Sequence, residues 1–295
     1  MKTSDVLSIL DDSLLSFENF SLDVLNVSKP KNITEAVNLC KIISKLSPIV
    51  GNFIEYRMVD FFNDIPELKK VGTWRRQDPG FPDTIFDSQI SPAPGVEIKA
   101  WFPLATEMTA RFRDSQKFFE KNQTYVLIVC WLPEYIIYGK PIIIGTSFVS
   151  GKSIAEIRDN HYFNPPDYLV LEPENTDART ANLQQTNTNG YKFQDTKQAR
   201  DDAENFVVKN KILQGDYNLE EKFQHKLCEL FKRYKYRLDT NYAKIDRIQH
   251  IAIEDFKTKM LNTDFYGLSI LDWSKIISEP EKIENIEIIR QKLGI

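Results

Sequence analysis

Cysteine and histidine are scarce in this chain. Cys40, Cys130 and Cys228 are far apart and form no CxxC pair, so neither a zinc site nor a disulfide framework is suggested, and buried free thiols are expected. His161, His225 and His250 are equally scattered, which argues against a zinc-hydrolase centre. Metal ligation would then fall to oxygen. No apolar stretch is long enough to cross a membrane, and the acidic, amphipathic start MKTSDVLSILDDSLLSF lacks the charged and apolar regions of a signal peptide. The expected location is cytoplasmic. Low-complexity tracts are also missing, and 42% hydrophobic with 27% charged residues places the chain among ordinary globular proteins. Its 295 residues suffice for one large domain or one domain with an elaborate extension. A net charge of -4 counts against indiscriminate coating of nucleic acid but leaves room for a local basic cleft.

The chemistry concentrates between Phe81 and Trp101, FPDTIFDSQISPAPGVEIKAW. Pro94-Gly95 and Pro103 bound the run from Val96 to Phe102, which marks a short strand between turns. Side chains alternate along a strand, so Glu97 and Lys99 share one face while Val96, Ile98 and Ala100 take the other. Asp83 precedes a second short apolar run, and the Ser-Pro-Ala-Pro-Gly segment can return the chain antiparallel to it. Two carboxylates and an ammonium then converge. Acidic oxygens from separate strands can hold a hard divalent cation such as Mg2+, which keeps some waters and accepts a phosphate oxygen. Lys99 beside such a water suits phosphodiester hydrolysis.

Pro82-Asp83 followed by Glu97-Ile98-Lys99 resembles the active-site signature of the PD-(D/E)xK nuclease superfamily, which contains most type II restriction endonucleases. The resemblance implies metal binding by Asp83 and Glu97 and activation of water by Lys99. The stretch Gly51-Asn52-Phe53-Ile54-Glu55 is similar to the helix before the active-site strands in restriction enzymes related to MutH, where a helical Glu supports the metal site. By that likeness Glu55 is an auxiliary catalytic and metal-binding acid. From helical periodicity alone it is either a rim residue or a buried group with a partner.

Residues before the signature read as helices over Val6–Phe17, Ile33–Leu46 and Pro48–Asn63, the last with Val50, Ile54, Met58 and Phe61 on one stripe. Val71 to Gly80, VGTWRRQDPG, reads as a loop in which Arg75 and Arg76 beside Trp74 either contact phosphate or form a structural pair. Beyond the signature a helix is expected over Glu107–Lys121. A strand buried on both faces at the centre of the sheet is expected over Tyr125–Leu132, and further strands at Ile142–Val149 and Tyr168–Leu171. Gly145 to Ser153 looks like a phosphate-binding loop, but five residues separate its glycines where that pattern has four.

Asp177 to Phe193 is rich in Asn, Gln, Thr and Arg. Arg179, Asn182, Gln184, Gln185, Asn187 and Asn189 either read base edges through bidentate pairing or belong to a polar surface connection. Leu219 to Leu238 keeps helical spacing, and the segment Lys222 to Arg247 carries eight Lys or Arg against three acids. Lys232 and Arg233 on that helix either follow a phosphate backbone or lie on a solvated face.

The expectation is an α/β chain with a PD-(D/E)xK core: a central mixed sheet flanked by helices, with helical extensions at both ends. Residues 1–215 would form the catalytic core and recognition loop, and 216–295 a helical region for DNA contact or dimerisation. The resemblance implies a type II site-specific deoxyribonuclease that uses Mg2+ on double-stranded DNA, acts as a homodimer, and has a companion DNA methyltransferase. Alternatives are a repair or structure-selective nicking endonuclease of the same fold, and a non-catalytic DNA-binding module.

Overall fold

The structure, a computed structural model, describes residues 1–23, 25–77, 80–105, 108, 112, 121–162, 170–172, 191–194, 197–211, 222, 229, 233, 236–238 and 245–295. The chain divides into two compact units, one of residues 1–110, 116–153 and 250–295, the other of residues 111–115 and 154–249.

The first unit is built on a five-stranded mixed sheet in the order β1-β2-β3-β4-β5. Its strands are β1 (Gly72–Arg76), β2 (Thr84–Ser88), β3 (Gly95–Trp101), β4 (Thr124–Tyr135) and β5 (Tyr138–Ser150). All neighbours are antiparallel except β3 and β4, which run parallel from Gly95–Thr124 to Trp101–Cys130. The continuous apolar run from Val126 to Leu132 is at most 1% exposed in β4, as a strand covered on both faces requires. The middle position belongs to β3, however. An apolar run records burial on two faces and carries no information on strand order, so the expected central placement of this segment is corrected.

Helices α1 (Thr3–Leu14), α2 (Ile33–Ile42) and α3 (Ser47–Asp64) precede the sheet. The Asn32 side chain caps α2 by accepting from Glu35 N–H at 3.0 Å, and Pro48 opens α3 where no intrahelical donor is needed. Val50, Ile54, Met58 and Phe62 form the buried stripe of α3; Phe61, expected there, is half-buried against Phe17 instead. Phe62 continues into the sheet through Trp74 of β1 at 5.2 Å and Phe86 of β2 at 5.0 Å between ring centroids. This run of tilted aromatic contacts fastens α3 to the two strands beside the signature. The expectation of a loop at Val71–Gly80 is thereby overturned for residues 72–76: flanking turn formers hid a strand whose Trp74 is 2% exposed.

The free edge of β1 is closed by Asn63, which accepts from Trp74 N–H at 2.8 Å and donates to Trp74 C=O at 3.0 Å. The edge of β5 is covered by the segment after α1, with bridges Ser21–Ile142 and Val27–Gly139. Gly145 to Ser150 lies within β5, with α4 (Gly151–Tyr162) directly after it, so the resemblance to a phosphate-binding loop fails.

In the second unit β6 (Val170–Glu172) runs parallel to β7 (Tyr191–Gln194), which pairs antiparallel with β8 (Tyr236–Leu238); α5 spans Lys197–Lys209. The helix expected to reach Leu238 therefore gives way to a strand at Tyr236, where pairing with β7 overrides the helical spacing. Most of the helix expected over 107–121 lies outside the described residues; Met108 and Phe112 are buried. The C-terminal helices α6 (Ile251–Leu261), α7 (Ile270–Ser278) and α8 (Ile283–Leu293) belong to the first unit. Among the described residues no helix is long and apolar enough to cross a membrane. Cys40 and Cys130 are buried free thiols, and Cys228 lies outside the described residues.

Candidate active site

Strands β2 and β3 pair only at Thr84–Val96 and Ile85–Gly95. Beyond that point side chains replace the ladder. Asp83 N–H donates to Glu97 Oε2 at 3.1 Å, and Ile98 N–H donates to Asp83 Oδ2 at 2.6 Å. Each carboxylate thus reaches across the parting strands to the backbone of the other's strand. The antiparallel return and the alternation expected from the sequence are both present: Val96 and Ile98 belong to the core, and Glu97 and Lys99 project from the other face.

Lys99 Nζ donates to Glu97 Oε1, so both Glu97 oxygens are engaged. Among the described residues Asp83 Oδ1 has no hydrogen-bond donor. Glu97 is only 7% exposed. Burial raises its carboxyl to about 7, with the Asp83 charge adding to the rise and the Lys99 ammonium opposing it. Lys99 itself is 17% exposed, so the ion pair is largely desolvated.

Glu55, on α3, lies within electrostatic reach of Asp83 and Lys99. Gly51, one helical turn earlier, lies where a Cβ would sit 3.5 Å from the Ala100 Cβ, so the helix passes close to β3. Glu55 Oε2 accepts from Arg76 Nη2 at 3.1 Å, and that guanidinium lies 5.6 Å from the Tyr56 ring centroid. Burial and the Asp83 carboxylate raise the Glu55 carboxyl, while Arg76 and Lys99 pull it down. Of the two readings its spacing allowed, Glu55 is the half-buried group with a partner.

Gly95 also shapes the site. A Cβ there would stand 2.5 Å from Pro82 Cγ, so the absence of a side chain lets the Pro82 ring lie against the start of β3 and sets Asp83 beside Glu97. The sequence marks Pro94-Gly95 as a turn signal and gives no hint of this contact.

The structure joins Asp83, Glu97 and Lys99 by hydrogen bonds; Glu55 is paired with Arg76 and within electrostatic reach of Asp83 and Lys99. Arg75 points to the opposite face of β1, exposed and paired with Asp87 at 2.5 Å. Trp74 takes no part in a surface contact, because its ring is in the core. Arg233 is exposed, 3.6 Å from Asp202 and over the Phe206 ring at 5.8 Å. Arg179, Asn182, Gln184, Gln185, Asn187, Asn189 and Lys232 lie outside the described residues. A groove of about 810 Å³ bordered by Lys2, Thr3, Gln89, Pro92, Lys121 and Tyr125 includes none of the acidic cluster.

Among the described residues no three His, Cys, Asp or Glu side chains are grouped so that they could hold a metal ion. The donor set at Asp83 and Glu97 consists of two carboxylates, one with an uncommitted oxygen, beside a lysine. Such a set fits a hard cation that keeps water and takes a phosphate oxygen, and does not suit a soft metal. No family model, curated protein or solved structure matches the chain at a significant level.

Proposed function

We propose that the protein is a Mg2+-dependent endonuclease with a PD-(D/E)xK core, which hydrolyses phosphodiester bonds of double-stranded DNA at a specific sequence in the manner of a type II restriction endonuclease. The observation that supports this reading most strongly is the interlock of Asp83, Glu97 and Lys99 where β2 and β3 part. An ordinary surface hairpin leaves its Glu and Lys in water. Here the glutamate is buried at the cost of a carboxyl raised to about 7, a perturbation characteristic of working sites.

In this reading Asp83 and Glu97 hold the cation. When bound, Mg2+ polarises a phosphate oxygen and acidifies a water. Lys99, fixed by Glu97, orients the attacking water and offsets the charge that develops on the phosphoryl oxygens. Glu55, held by Arg76, is the auxiliary acid. Arg76, Lys232 and Arg233 serve phosphate contact, and the amide-rich run from Arg179 to Asn189 reads base edges. Cutting both strands at a symmetric site is met by a two-fold homodimer. A companion methyltransferase that protects the same site belongs to the restriction reading.

The test is a digest of several plasmids in Mg2+. Discrete bands are expected. A smear indicates a nonspecific nuclease, nicked circles alone favour a repair or structure-selective enzyme, and intact DNA throughout overturns the nuclease reading.

A further inference from the structure

The last pair of the β1–β2 ladder is Arg76–Thr84, and one step further the Gln77 N–H donates to Asp83 C=O at 2.7 Å. That bond uses backbone alone and is open to any residue but proline. The next carbonyl, that of Pro82, is taken by the Gln77 side chain, whose Nε2 donates to it at 2.9 Å. Gln77 therefore holds two consecutive carbonyls, on either side of the Asp83 nitrogen. On the far side of the same dipeptide Gly95 receives the Pro82 ring, and Glu97 accepts the Asp83 N–H. The Pro82-Asp83 unit is clamped from both directions, and only the Gln77 bond to Pro82 depends on a polar side chain that is not itself in the acidic cluster. Gly80 is shaped to the same contact: a Cβ there would fall 2.8 Å from the Gln77 Cβ.

We propose that Gln77 is a positioning residue for Asp83: its side-chain amide fixes the Pro82 carbonyl so that one Asp83 oxygen stays on Ile98 N–H and the other faces the cation. The inference rests on the nuclease reading. Among the acceptor-only or truncated replacements, none can make this bond. Gln77→Glu keeps size but sets a carboxylate against a carbonyl, and Gln77→Ala removes the group.

The experiment measures Mn2+ binding by electron paramagnetic resonance without DNA, beside cleavage in Mg2+, DNA retention in Ca2+ and thermal melting. For both Gln77 variants, cation affinity and the cleavage rate should fall by about ten- to a hundredfold, the usual range for a group that orients a metal ligand. The midpoint of melting, and DNA retention at saturating Ca2+, should remain at wild-type values, and raised Mg2+ should recover part of the rate. Gly80→Ala, which presses on Gln77 from outside, should shift cation affinity in the same direction. Wild-type Mn2+ affinity in both Gln77 variants overturns the positioning role and leaves the nuclease reading intact. A parallel fall in melting temperature that accounts for the whole loss overturns it too, by making Gln77 a fold residue. A wild-type protein that neither binds Mn2+ nor cuts DNA overturns the nuclease reading and this inference with it.

Discussion

Replacing Glu97 by Gln should change how stability depends on pH, because the native state holds the Glu97 proton more tightly than an unfolded chain does. Burial raises the carboxyl to about 7 from the ordinary 4.5, against the pull of Lys99. A group whose folded pKa is raised contributes stability that is complete below about 4.5 and is lost as pH climbs through about 7. At roughly 1.4 kcal/mol per pH unit the whole loss is about 3 kcal/mol. Gln does not titrate, so it lacks this slope. Below about pH 7 the wild-type carboxyl is itself largely protonated, so the neutral Gln side chain leaves Lys99 in similar surroundings, and the attraction between Lys99 and the carboxylate that forms above it is already contained in that value. The quantity to read is therefore the change with pH in the difference between the two proteins. Urea unfolding at several pH values between 4.5 and 8 should show wild type losing about 3 kcal/mol relative to Glu97→Gln, with most of the change between pH 5 and 7. Parallel curves, or a wild type that gains on the variant as pH rises, would refute the claim that Glu97 is held in a desolvating site.

Three further outcomes follow from the same geometry. Gly95→Ala drives a methyl into the Pro82 ring and should cost about 1 to 3 kcal/mol in melting experiments while displacing Asp83 and depressing cleavage more than DNA retention. Glu55→Gln should slow cleavage modestly, with recovery at higher Mg2+; no change in rate would return Glu55 to a structural pairing with Arg76. Asn182→Ala and Gln185→Ala should each weaken binding to the cognate duplex by about 1 to 3 kcal/mol and leave random DNA almost unaffected, as titrations on cognate and scrambled duplexes would show.

Much of the site was legible because its parts are local in sequence. Pro94-Gly95 and Pro103 delimit β3, strand alternation puts Glu97 and Lys99 together, and the 14-residue offset between Asp83 and Glu97 suits an antiparallel return. The periodicity of α3 likewise gave its buried stripe to within one residue at Phe62. What escaped was set by contacts distant in sequence. β1 is hidden among turn formers and owes its place to the Phe62–Trp74–Phe86 ring contacts, which no local pattern announces. Strand order is equally silent in the apolar run of β4. The bond from Gln77 to Pro82 depends on the β1–β2 register, and the space under Pro82 depends on Gly95 lacking a Cβ, so both emerge only from the assembled sheet.

The most direct test of the central claim compares cleavage by Lys99→Ala and Asp83→Asn with wild type in Mg2+, alongside gel retention of the same DNA in Ca2+. Asp83→Asn keeps an acceptor for Ile98 N–H, and Lys99→Ala removes a side chain from the face opposite the core, so neither change empties the interior. Both variants should retain DNA, and neither should cut it. A Lys99→Ala or Asp83→Asn protein that cuts at close to the wild-type rate would contradict the assignment of this cluster as the active site.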